Sequence, residues 1–154
     1  MMTIMGGLKP LFIKIAPDLT LGAVDDVIEV ALEEGVGIIS ANTTINEEIK
    51  AKYGWRHTPG GLSGNDPEFR AMSTGIIKHI YRQTRGSVPI MGAGAINDTK
   101  TALEKITAGA PAFCVVSGLR QKGLGLPTEI NCGLVEYMEK HGVKSIQELV
   151  GIAA

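Results

Sequence analysis

Apolar positions along this chain follow two alternating rhythms. Short, nearly continuous apolar runs give way to turns, and the turns to stretches where apolar side chains return every three or four residues. The first run, Pro10-Leu11-Phe12-Ile13-Lys14-Ile15-Ala16-Pro17, passes through Asp18-Leu19-Thr20, an N-cap signature, into a helical pattern closed by Gly35. Val24, Val27, Ile28, Ala31 and Leu32 then form one buried stripe. A second run, Gly37 to Asn42, ends in Thr43-Thr44, and a long polar loop over about residues 44 to 66 precedes a helix from Pro67 to Thr84. The third run, Val88 to Ala95, leads through Asn97-Asp98 into a helix over Thr101 to Ala108. The fourth, Ala112 to Ser117, precedes a basic glycine-rich turn, a helix from Pro127 to Lys140 and a short last helix from Ser145 to Val150.

Strands buried on both faces and alternating with helices predict a parallel, helix-covered sheet, an α/β fold of about four βα units. No sequence repeat, low-complexity tract or linker divides the chain, so residues 1–154 read as a single domain. At 154 residues it is well short of the roughly 250 of a complete eightfold β/α barrel.

Composition narrows the function. Fifteen Lys and Arg against sixteen Asp and Glu leave a net charge of −1, and only seven aromatic residues are present, so neither a nucleic-acid footprint nor a base-stacking surface is expected. Cys114 and Cys132 form no CxxC pair, which argues against a disulfide scaffold or a zinc site. The start shows no signal pattern and no apolar run approaches a membrane span, so a reducing cytoplasmic compartment is expected.

Parallel β/α proteins place their chemistry at the carboxyl ends of strands. Lys14 interrupts an apolar strand; alternation puts it on a face with Phe12 and Ala16, opposite Leu11, Ile13 and Ile15. A buried ammonium there calls for a bound anion, a reactive carbonyl or a carboxylate neighbour, while a lysine snorkelling at the sheet end is the plainer alternative. Asn42, Thr43 and Thr44 supply an amide and two hydroxyls that suit a planar polar ligand, or ordinary turn chemistry. Gly60-Gly61-Leu62-Ser63-Gly64 lets backbone amides approach a ligand. Gly92-Ala93-Gly94-Ala95-Ile96-Asn97 begins like a dinucleotide fingerprint, but Asn97 occupies the third glycine's place, so the better reading is half of a phosphate cradle. Ser117 to Gly123 would supply the other half, with Arg120 and Lys122 either nearby cations or solvated charges. His57 could line a site from the long loop; His79 and His141 read as surface positions, and no metal spacing is present.

Taken in order, Lys14-Ile15-Ala16-Pro17-Asp18-Leu19-Thr20, Asn42-Thr43-Thr44-Ile45, Gly60-Gly61-Leu62-Ser63-Gly64, Pro89 to Ile96, Ala102 to Ala110 and Ser145 to Gly151 resemble the C-terminal half of the dihydroorotate dehydrogenase family. The first two segments look most like its membrane-associated, quinone-using branch. The resemblance implies the C-terminal half of a TIM-type (β/α)8 barrel, FMN as cofactor, and oxidation of dihydroorotate to orotate in pyrimidine biosynthesis, with electrons passing to quinone or another acceptor.

By position, Lys14 resembles the lysine at the flavin ring, and Asn42 and Thr43 the pair reaching substrate and flavin. Ser63 and Gly64 resemble the loop beside the flavin. Gly94, Ala95, Val116 and Ser117 fall where the family holds the FMN phosphate. Ala95 replaces a common second glycine, Cys114 and Val116 a usual Gln and Tyr, Asn46-Glu47 a usual Ser-Arg, and Ala41 lacks a frequent hydroxyl. The family's first barrel half carries the general base and the membrane-contacting helices. The chain alone is therefore expected to be inactive without a complementary N-terminal half or self-association, and the full-length enzyme to sit peripherally at the inner membrane. Two alternatives stand beside this reading: a Schiff-base lyase using Lys14, and a non-catalytic phosphate-binding or oligomerisation module.

Overall fold

The computed structural model describes residues 3–4 and 7–154, with side chains from residue 9 onward. A two-stranded antiparallel ribbon, β1 (Thr3–Ile4) and β2 (Gly7–Leu8), precedes a four-stranded parallel sheet. The sheet strands are β3 (Phe12–Ile15), β4 (Gly37–Ser40), β5 (Ile90–Ala93) and β6 (Ala112–Cys114), hydrogen-bonded in chain order. Strand order never reverses, which is the winding of a β/α barrel and not of a doubly wound sheet.

The connecting helices are α1 (Leu21–Glu34), α2 (Glu47–Lys52), α3 (Pro67–Thr84), α4 (Thr99–Ala108), α5 (Ser117–Lys122) and α6 (Leu126–His141), followed by a 3-10 turn at Ile146–Leu149. Packing against one face of the sheet bury two cores. In the first, Ile15, Ile38 and Ile90 of the strands meet Val24 and Ile28 of α1 and Ile77 and Ile80 of α3. In the second, Ile96 and the half-buried Phe113 meet Ala102 and Ile106 of α4 and Ile130 and Leu134 of α6. The register pairs Lys14 with Ile39, Ile39 with Met91 and Met91 with Ala112, so these four share the opposite face. Lys14 and Ala112 are exposed there and Ile39 and Met91 half-buried.

Several local expectations are corrected. The Asp18-Leu19-Thr20 cap signature resolves to Thr20, whose hydroxyl accepts from the Ala23 amide at 3.2 Å. Leu32 leaves the buried stripe of α1 and is exposed, being one helical step past Ala31. The polar loop contains α2, started by Asn46, whose side chain accepts from the Glu48 and Ile49 amides at 2.9 and 3.1 Å. The turn after β6 is helical as α5, and α4 begins at Thr99 because Asp98 and Thr101 form a capping box.

Candidate functional site

A cavity of about 280 Å³ opens at the carboxyl ends of the four sheet strands. Lys14 of β3, Asn42 and Thr43 after β4, Ser63 and Gly64 of the long loop, Gly94 and Ala95 after β5, and Val116 and Ser117 after β6 all line it. Side chains separated by up to about a hundred positions in sequence therefore meet in one place. Phe69, Asn97, Cys114, Gly118 and Gln121 line it as well.

Each wall has a local cause. Asp18, in the turn after β3, holds the loop after β4: Thr44 Oγ1 donates to Asp18 Oδ1 at 2.5 Å, and the Ile45 amide donates to Oδ2 at 3.1 Å. Thr44 is fully buried and its backbone pairs with Leu62 in both directions, at 2.9 and 2.8 Å. The Asn-Thr-Thr segment is thereby stitched to the loop carrying Ser63 and Gly64. Asp66 closes that loop by capping α3, accepting from the Phe69 amide at 2.9 Å and from the Tyr53 hydroxyl at 3.0 Å. Burial acts to raise the Asp66 carboxyl, but the Phe69 amide, the Tyr53 hydroxyl and the Lys52 ammonium outweigh it and hold it below the usual range.

The wall after β5 turns through Gly94, at φ +91°, where a side chain would meet the buried Phe69 ring at 2.8 Å. Ala95 follows at φ +53°, a left-handed conformation that costs a non-glycine residue on the order of 1 kcal/mol. Its methyl group packs with Ile49 and Phe69, which shows where the side chain replacing a common glycine is accommodated. The amides of Ala95, Ile96 and Val116 stand outside helix and strand and donate to no protein group among the described residues. At Gly118 the wall after β6 approaches so closely that a Cβ would lie 2.4 Å from the Ile96 carbonyl oxygen. The cavity's polar end is thus formed by two backbone segments in close contact, each carrying free donors. Ser63 Oγ and Ser117 Oγ lie 2.7 Å apart across it.

Lys14 needs a correction. It faces the cavity, as alternation requires, but it is exposed, because four strands do not close around it. His57 lies outside the cavity, exposed, its amide donating to Glu47. His79 is not a free surface residue: its Nε2 lies 2.6 Å from Asp25 Oδ1, joining α3 to α1. Sequence reasoning missed Asp18 as the anchor of the neighbouring loop, and also Lys105. This lysine is fully buried between α3 and α4 against Ser73 Oγ, Thr74 Oγ1 at 2.8 Å and the Arg70 carbonyl at 3.4 Å. Burial is the main cause that brings its pKa down to about 7, with Arg70 acting the same way and Glu104 opposing. No helix among the described residues is long and apolar enough to cross a membrane.

Winding order, one-sided helices and a cavity at the strand ends define a partial β/α barrel. The chain belongs to the dihydroorotate dehydrogenase family, whose model matches residues 6–138. It is 40% identical over 156 residues to a dihydroorotate dehydrogenase (quinone) of Trichodesmium erythraeum, covering 94% of this chain and 40% of that protein. A protein of the same name from Rhodopseudomonas palustris is 41% identical over 150 residues, covering 96% and 41%. Among solved structures, a dihydroorotate dehydrogenase of Eimeria tenella in complex with ferulenol matches with a TM-score of 0.85 at 34% identity, over 97% of this chain and 40% of that one. The chain therefore spans about two fifths of the length of these relatives.

Proposed function

We propose that this chain forms the phosphate and ring-edge part of an FMN site in a dihydroorotate-oxidising enzyme of pyrimidine synthesis, with quinone as the electron acceptor. The observation that carries the reading is the convergence of all nine positions matching the family's site on one cavity, with free backbone donors at its polar end. The amides of Ala95, Ile96 and Val116 suit a phosphate, which needs several donors and no competing carboxylate. FMN, when bound, supplies the acceptor for the two electrons and hydrogen leaving the substrate.

This chain's residues bind and orient. The exposed ammonium of Lys14 offers positive charge on the inner face, where charge on a reduced ring would need it. Asn42 and Thr43 present an amide and a hydroxyl to a planar polar substrate, held in place from behind by the Asp18–Thr44 bond. Ser63 and Gly64 close the side wall. Lys14 stands on an open face and not in the apolar pocket that activates an amine nucleophile, so the flavin reading is favoured over a Schiff-base lyase. The relatives' length leads to the further proposal that turnover requires a polypeptide supplying the rest of the barrel, the general base included.

The test is an FMN titration of the chain alone and of the chain mixed with the first barrel half of a relative, followed by flavin absorbance and by reduction with dihydroorotate. FMN binding is expected in the mixture, and Lys14→Met should lower the bound flavin's midpoint potential by about 30 mV, about 1.4 kcal/mol for two electrons. Absence of flavin binding in the mixture, or an unchanged potential in the variant, would overturn the assignment.

A further inference from the structure

Beside the flavin cavity lies a second one, of about 450 Å³, that shares Ser63, Ser117 and Gln121 with it and adds Trp55 and Arg120. The wall common to both contains the single hydroxyl-to-hydroxyl bond between Ser63 and Ser117, at 2.7 Å. Two features of the new cavity are unexplained by packing. Trp55 is 48% exposed although indole is among the costliest surfaces to leave in water. Arg120 has neither a carboxylate within ion-pair distance nor a hydrogen-bond acceptor for its guanidinium among the described residues, whereas its neighbour Lys122 is paired with Glu129 at 3.1 Å.

The backbone at Trp55 is also held in place. The Lys50 side chain is buried under the turn, and its ammonium bonds Glu47 at 2.8 Å and the Thr58 carbonyl at 2.6 Å. The Trp55 amide donates to the Lys50 carbonyl at 3.0 Å, and the Thr58 amide to the Trp55 carbonyl at 3.0 Å. A buried cation thus staples the turn that presents the indole. An indole carried on a fixed turn, an uncommitted guanidinium and the Gln121 carboxamide around one cavity match a ligand with a flat heteroaromatic ring and a phosphate: guanidinium takes the phosphate, indole the ring.

We propose that Trp55, Arg120 and Gln121 form a subsite for an aromatic nucleoside 5′-phosphate. The ligand is a free mononucleotide, and the subsite stands independently of the flavin reading above.

Trp55 is the chain's one tryptophan, so its emission reports this cavity alone. Adenosine 5′-monophosphate should quench it saturably, with ribose 5-phosphate and adenosine each much weaker. By calorimetry, Trp55→Ala and Arg120→Ala, with folding checked by circular dichroism, should each weaken the nucleotide about tenfold or more. No quench and no heat with the nucleotide, or equal affinity in the variants, overturns the subsite even if FMN binds. Nucleotide binding by the chain alone sustains the subsite whatever the separate FMN titration of the mixture shows.

Discussion

Lys105 is the residue whose chemistry departs furthest from what its type suggests. A fully buried ammonium with only hydroxyl and carbonyl partners loses hydration that neutral oxygens do not fully replace. Its pKa falls from the ordinary 10.5 to about 7 in the folded chain. Between those values the unfolded chain holds a proton that the folded one has released, so this group makes stability rise with pH, by at most about 1.4 kcal/mol per unit. The gain is complete above the unfolded value and is lost as pH falls toward 7. Lys105→Met keeps the aliphatic stem and removes the titration. Urea unfolding at pH 7 and about pH 9 should show the parent chain gaining about 2 kcal/mol relative to the variant. Parallel profiles would show that the site does not discharge on folding.

At the scale of elements, the turn after β3 and the loop after β4 behave as one unit because of Asp18. The carboxylate accepts one hydroxyl and one amide, and the buried Thr44 hydroxyl has no other acceptor among the described residues. Removing Asp18 as Asp18→Ala should cost about 1–3 kcal/mol, since a buried hydroxyl is left without its partner. In a double-mutant cycle with Thr44→Val, the two losses should overlap by at least about 0.5 kcal/mol in denaturant unfolding. Additive losses would mean the bond holds nothing together.

The same pair shows how far sequence reading reached. Asp18-Leu19-Thr20 was legible as a cap, but two residues there can cap, and tertiary contact gave Asp18 to a loop 26 positions away while Thr20 took the helix. The strands and long helices were legible because burial imposes a period on them. Helices α2 and α5 were not, being six residues each, too short for a period, with their start signals read as loop chemistry. The site positions were legible from strand ends and family motifs, since the fold brings those ends together whatever lies between. Trp55 and Lys50 were not, because their relation runs through a turn that no local pattern announces.

For the molecule as a whole, the governing fact is a sheet covered on one face only. The opposite face carries Phe12, Ile39 and Met91, all half-buried, around the exposed Lys14, and the outer edges of β3 and β6 pair with no other strand of the sheet. Unpaired edges and uncovered apolar surface favour association, and a parallel edge accepts another parallel strand most readily in the register of a closed barrel. Two kinds of partner meet that requirement: another copy, or the first barrel half of a relative. The relative's half completes the cavity with matched side chains, while a second copy brings a second Lys14 to the same interior and sets like charges against each other. The chain alone should therefore run above its monomer mass of 16.3 kDa in size-exclusion chromatography with light scattering, and salt should strengthen that association by screening the lysines. Addition of the complementary half should convert it to a one-to-one complex. Met91→Lys, which adds charge to the open face, should weaken both assemblies. A chain that stays monomeric at micromolar concentration and ignores the complementary half would show that the uncovered face is stable as it stands, and the requirement for a barrel-completing partner would fall with it.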